Sequence, residues 1–217
     1  MAKNGFSAGE ALQFGWQATK NKFWFFSAMF LVIFIFALVL SVAMNALKSS
    51  SAAGYMLISL FTTIFNIFVS IGIITITLAV CDDKPIDVFD FFSNTHLILK
   101  YFAASIIYGI IVFLGCIFFI IPGIILAIRL QFFTYLLVDQ QLGPIQALKK
   151  SAELTKSCTF SLFSFGILIM LINFFGVLCF GFGLFVSMPT TLIALAYVYK
   201  KLLAQNENIE KVTSAAN

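Results

Sequence analysis

The chain has 217 residues, 61% of them hydrophobic and 10% charged, with a formal net charge of +4. Soluble domains carry about 25% charged residues, so water cannot be the solvent for most of this surface, and the composition reads as a polytopic membrane protein. The positive charge does not point to nucleic acid, because the lysines sit mostly at the ends of apolar runs, where membrane topology accounts for them.

In hydrocarbon every backbone polar group needs an internal partner, which leaves helices or a closed barrel. Barrel strands alternate apolar and polar residues. The run 30–40, from Phe30 to Leu40, does not alternate. The expected class is therefore all-α: a polytopic transmembrane bundle of six helices in three hairpins, with interfacial amphipathic helices on the cytoplasmic side.

In chain order, Ser7-Ala-Gly-Glu10 fits the capping-box pattern at a helix start. Leu12 and Trp16 then share a face, which predicts an amphipathic helix lying in the interface, with Trp16 and Trp24 at headgroup depth. The first apolar run starts at Phe23 and is too long for a signal-peptide core. It reads as a retained first span, 23–43. Residues 45–54 read as a polar loop with Lys48, and 55–80 as span two. That span carries Thr62, Thr63, Asn66, Ser70, Gly72, Thr75 and Thr77, residue types that favour helix–helix packing over a pore.

Residues 81–96 form the next polar connection. Asp82 or Asp83 caps a helix there and Pro85 suits its first turn. Asp83, Asp87 and Asp90 share a face with Phe89 and Phe92 on another; the carboxylate spacing matches no calcium loop and reads as a solvated face. The stretch 97–138 holds two ionised side chains, Lys100 and Arg129, with Pro122-Gly123 past its middle. A bilayer core about 30 Å thick needs about 20 apolar helical residues. The stretch is therefore two spans, with the turn expected at Pro-Gly.

In the connection 139–159, Pro144 marks a helix start. Ile145, Leu148 and Ala152 make one face, and Lys149, Glu153 and Lys156 the other. Span five is 160–180, Gly181-Phe-Gly183 a turn, and span six 184–199, kinked at Pro189. Lys200-Lys201 closes it, and 205–217 reads as a disordered polar tail. One membrane domain thus covers 1–204.

A polar segment before each pair of spans predicts three repeat units, 7–80, 85–138 and 143–199. Ala11-Leu12 aligns with Ala147-Leu148 and Thr19-Lys20 with Thr155-Lys156 at one offset. Such units run parallel, which permits pseudo-three-fold symmetry. With both termini in the cytoplasm, eleven lysines face inward and only Lys48 outward, the bias expected of an inner-membrane protein. Trp16, Lys20, Lys149, Lys150 and Lys156 then become interfacial lipid contacts on an anionic leaflet.

Arg129 is the main candidate for function. Counted along the span it lies near mid-membrane, where an arginine costs about 2.5–3.5 kcal/mol. Asn66, Asn173, Tyr108 or a snorkelled lipid phosphate would offset that. The readings are a lipid or substrate contact inside the bundle, or a buried polar latch; Gln131 and Asn173 are read the same way. No catalytic motif is present, and no acid of the kind a proton-coupled carrier places within the membrane. The four cysteines and single histidine, His96, are scattered, which predicts no metal, and no cofactor is expected.

The segments Ile120-Ile-Pro-Gly-Ile-Ile-Leu-Ala-Ile-Arg129, Leu137-Val-Asp139, Gly143-Pro-Ile-Gln-Ala-Leu-Lys-Lys-Ser151 and Leu154-Thr-Lys156, with Gly9-Glu-Ala-Leu12 and Phe14-Gly-Trp16, resemble a broad group of bacterial membrane proteins. That group includes the membrane domain attached to some glycerophosphodiester phosphodiesterases. The resemblance implies a six-helix cytoplasmic-membrane protein and brings no catalytic residues. The expected function is non-enzymatic, exerted through lipid or a membrane-protein partner. The alternative is a small permease for a lipid or amphipathic anion, working through Arg129.

Overall fold

The computed structural model describes residues 6–85, 94–178, 181 and 183–215, and every regular element among them is helical. The order is α1 (Ala8–Asn21), α2 (Phe23–Ser50), α3 (Ala52–Cys81), a 3-10 turn (Thr95–Leu97), α4 (Ile98–Phe118), α5 (Ile120–Leu130), α6 (Phe133–Asp139), α7 (Pro144–Thr155), α8 (Thr159–Leu178) and α9 (Leu184–Ala215). The expected carboxylate face at Asp87 and Asp90, with Phe89 and Phe92, lies outside the described residues.

Five stretches are long and apolar enough to cross a bilayer: Phe23–Lys48, Ala52–Cys81, Thr95–Phe118, Ile120–Asp139 and Thr159–Leu178. Large apolar side chains such as Val32, Phe34, Phe113 and Phe175 point outward from them. A contiguous surface of that kind needs hydrocarbon around it. The stretch expected to be a sixth crossing, 184–199, is the first half of α9 and is not among these five.

Burial sorts the helices into inner and outer. Within the most apolar 18 residues of each stretch, 50% are buried in Ala52–Cys81 and 39% in Ile120–Asp139, against 11% in Phe23–Lys48, 6% in Thr95–Phe118 and 17% in Thr159–Leu178. The first half of α9 joins the inner set, with Ile193, Ala194, Ala196, Val198 and Tyr199 fully buried. So α3, α5–α6 and α9 make the core, and α2, α4 and α8 face outward.

Four expectations change. The segment 45–54 is not a loop: nothing before Ser51 breaks the helix, so α2 runs to Ser50, and extended Ser51 accepts from the Gly54 N–H at 3.2 Å to start α3. The turn of the central stretch comes before Pro-Gly, at extended Phe119. Pro122 sits in the first turn of α5, where the missing N–H has no partner to lose. The fourth span is interrupted after Leu130, so Arg129 and Asp139 lie on different helices, α5 and α6. Finally, α9 continues through the expected tail to Ala215, because no glycine or proline follows Pro189.

The capping box is half formed. Ser7 accepts from Glu10 N–H at 3.4 Å, but the Glu10 carboxylate turns to Lys201 at 2.6 Å. That pairing belongs to a larger contact: α1 does not lie free in an interface but packs lengthwise on α9. Ala11, Gly15 and Thr19 are its buried face. Phe14 stacks on Tyr197 at 4.7 Å, and Thr190 Oγ1 lies 3.2 Å from Thr19 Oγ1. Trp16 and Trp24 remain exposed.

Small residues let helices meet. A Cβ on Gly123 would lie 2.7 Å from the backbone nitrogen of Cys116, so α4 and α5 touch through backbone there. Gly176 and Gly183 make the matching contact where α8 turns into α9.

At the other end of the inner helices, Lys200 ties three of them together. Its ammonium lies 2.9 Å from Asp139 of α6 and 3.0 Å from Asp82, the residue closing α3. Tyr199 donates to the second Asp139 oxygen at 2.8 Å. Burial pulls the Lys200 ammonium down, but the hydrogen bonds to Asp139 and Asp82 outweigh it and hold the group above its ordinary value.

Two outcomes follow. Gly123→Val should lower the melting temperature in detergent, with a cost of about 1–3 kcal/mol from overpacking. Because the Lys200 pKa is raised on folding, its contribution is complete below the ordinary lysine value of about 10.4 and is lost as pH rises through the folded value. Lys200→Met should therefore melt lower than wild type at pH 7, and the gap should close only in strong alkali.

Candidate functional site

The site is built by α7. Pro144 takes the first helical position, and the Gln146 side chain accepts from the Gly143 N–H at 3.4 Å. The helix buries Ala147, Leu148, Ser151, Leu154 and Thr155 against α4, α5 and α6. The expected apolar face is thus rotated: Leu148 is buried as read, but Ile145 points outward. Lys149, Glu153 and Lys156 are exposed as expected.

Ser151 and Thr155 lie opposite the interruption between α5 and α6. Breaking the helix at Gln131 and Phe132 frees backbone groups that the helix would have paired. Ser151 accepts from the Phe132 N–H at 3.1 Å and donates to the Arg129 carbonyl at 3.0 Å. The Thr155 hydroxyl lies 2.9 Å from the Arg129 carbonyl and 2.9 Å from that of Ser151, one proton shared between two acceptors. These hydroxyls hold the Arg129 backbone, and its side chain takes no part in the bonds.

That side chain lines a groove of about 580 Å³ between α5 and α8. Ile121, Ile124, Ile125 and Ile128 form one wall, Phe160 and Phe163 the other. Lys156, which closes α7, and Thr159, which opens α8, join Arg129 as the polar lining. The Thr159 hydroxyl donates to the Thr155 carbonyl at 2.9 Å. Among the described residues neither Arg129 nor Lys156 makes an ion pair, and the Arg129 Nε is buried with no hydrogen-bond partner. Among the described residues no carboxylate lines the groove.

The partners expected for Arg129 are engaged elsewhere. Asn66 donates to the Thr62 carbonyl at 2.8 Å, and Tyr108 stacks on Phe133 at 5.1 Å. Asn173 donates to Thr191 at 3.3 Å and leaves its Oδ1 buried without a partner, on the α8–α9 contact rather than in the groove. Gln131 is half-buried in the interruption. Lys20 and Lys149 are exposed and Lys150 half-buried, outside the groove lining. Of the residues singled out in the sequence, the groove brings together Arg129 and Lys156 alone. Ser151 and Thr155, noted in the sequence only for the repeat and the resemblance, were not read as polar contacts; their signal is a pair of small hydroxyls four apart on one helical face.

No family model matches the chain, and no solved structure matches it. It is 28% identical over 154 residues to an uncharacterized protein of Mycobacterium tuberculosis (strain ATCC 25618 / H37Rv) and, at the same identity, to one of Mycobacterium bovis (strain ATCC BAA-935 / AF2122/97). The match covers 70% of this chain and 47% of each relative, so the chain spans about half the length of the curated relatives it matches.

Replacing Ser151 by Ala together with Thr155 by Val should leave the Arg129 carbonyl unsatisfied in an apolar setting. A buried group left without its partner costs about 1–3 kcal/mol. Thermal melts of the purified double variant should show that loss, and Lys149→Ala on the exposed face should show none.

Proposed function

We propose that this is a non-enzymatic, multi-pass membrane protein that works by holding anionic lipid from one leaflet. The carrying observation is the groove between α5 and α8: apolar walls with two unpaired cations at its polar lining. A phospholipid has the complementary form, an anionic head on apolar chains. Charge-assisted hydrogen bonds to phosphate are about twice as strong as neutral ones, and more so where water is excluded.

The proposed arrangement has six crossings in three hairpins, the first half of α9 being the sixth, with both chain ends in the cytoplasm of a cell whose inner membrane it occupies. The lysine asymmetry supports that orientation. Three repeat units are part of the same reading. Two aligned threonines support them: Thr19 of α1 meets Thr190 of α9, and Thr155 of α7 meets Arg129 of α5. Each unit would then lay its short helix on the inner helix of a neighbouring unit.

Lipid extracted from protein purified in mild detergent tests the proposal. Wild type should carry anionic phospholipid close to one per chain. Arg129→Gln, which keeps the Arg129 backbone contacts, should carry several-fold less while inserting and melting normally. Equal lipid in the two proteins would defeat the assignment of Arg129 to lipid.

A further inference from the structure

We infer that the groove between α5 and α8 selects a lipid whose headgroup is a phosphate monoester, rather than a phosphodiester lipid. The inference rests on the lipid reading above and adds the charge of the ligand to it.

The argument is a charge count. Two cations, Arg129 and Lys156, line the polar part of the groove, and among the described residues no carboxylate lines it. Glu153, three residues before Lys156 on α7, forms no ion pair with it. A diester phosphate brings one negative charge and leaves one cation uncompensated. A zwitterionic head brings a cation of its own. A monoester carries about −1.5 to −2 at neutral pH, with a second pKa near 6, and so meets both cations.

The two side chains also divide the work by geometry. The Arg129 guanidinium offers a planar fork, with its Nε buried and awaiting an acceptor. Lys156 is an exposed point charge at the end of α7. Arginine suits two oxygens of one phosphate, and lysine suits the third as a mobile counter-charge. A diester has only two free oxygens. The apolar walls settle which monoester fits: four isoleucines and two phenylalanines give no partner to a soluble sugar or nucleoside, whereas they match an acyl chain.

The pH dependence belongs to the ligand. On α5 the only titratable group is Arg129, and α8 carries none. On α7 they are Lys149, Lys150, Glu153 and Lys156; on α4, Lys100, Tyr101, Tyr108 and Cys116; on α6, Tyr135 and Asp139, the latter held by Lys200 and Tyr199. Cys158 lies at the α7–α8 junction, where burial pushes its thiol up. The one histidine, His96, is exposed and does not line the groove. Between about pH 5 and pH 8 the second proton of a monoester is the group expected to change charge.

The test uses the full chain in nanodiscs of phosphatidylcholine doped with one anionic lipid, phosphatidic acid or phosphatidylglycerol, read by native mass spectrometry and by displacement of a fluorescent lipid. At pH 7.5 phosphatidic acid should bind about tenfold more tightly, the worth of one further charged hydrogen bond. The preference should shrink to near unity at pH 5. Lys156→Gln and Arg129→Gln should each abolish it, while Lys149→Gln should keep it. Soluble glycerol phosphate at millimolar concentration should fail to displace the lipid. Equal binding of the two lipids at pH 7.5, a preference that survives at pH 5, or displacement by glycerol phosphate would each overturn the monoester inference and leave lipid binding standing. Failure of wild type to bind either lipid would overturn the lipid reading itself.

Discussion

The structure depends on one backbone carbonyl, that of Arg129. A helix interrupted inside an apolar bundle leaves groups that neither lipid nor side-chain hydrocarbon can satisfy, and each costs several kcal/mol unless paired. Here the pairing comes from outside the helix, from Ser151 and Thr155. Those hydroxyls fix the position and rotation of α7 against α5 and α6. Fixing α7 in turn sets where it ends, and it ends at Lys156, in the lining of the same groove as the Arg129 side chain. The groove's two cations are thus brought to one lining by the repair of a broken helix.

The same economy of polar groups runs through the core. Hydroxyls in α3 and α9 return to their own helices: Thr62 to Ile58, Ser70 to Asn66, Thr190 to Val186 and Thr191 to Ser187. Bonds of that kind satisfy the side chain without linking helices. Contact between helices comes largely from glycine pairs, aromatic contacts and the Lys200 junction, with Thr190 to Thr19, Asn173 to Thr191 and the Ser151 and Thr155 bonds to Arg129 as the polar links. Tyr135, Phe132 and Tyr199 stack beside that junction, with Tyr135 and Tyr199 at 5.3 Å. Breaking a partly buried ion pair from one side is costly because it strands the partner, so Asp82, Asp139 and Lys200 act as a unit.

Much of this was legible in the sequence. Apolar run lengths predicted six spans, of which five stand as helices long and apolar enough to cross a membrane, and Ser7, Pro144, Gly181 and Gly183 lie at helix boundaries. What was not legible has a common cause. Local signals report local preference, whereas the turn at Phe119, the interruption at Gln131 and the length of α9 are settled by packing. Pro122-Gly123 reads as a turn in isolation; the close approach of Gly123 to Cys116 shows that its small size serves contact instead. Arg129 stood out in the sequence for its charge, but counting along an unbroken span could not show Lys156 in the lining of the same groove. Nor could it show Lys200 between two aspartates, residues that topology alone had seemed to explain.

The docking of α1 on α9 has a consequence for biosynthesis. Thr19 and Thr190 are 171 positions apart. A ribosome adding about 5–20 residues per second takes roughly ten to thirty seconds to make that interval. Throughout it, α1 has no α9 surface on which to hide Ala11, Gly15 and Thr19. Helix α1 therefore finds its seat only after α9 has been made, however early α1 itself forms.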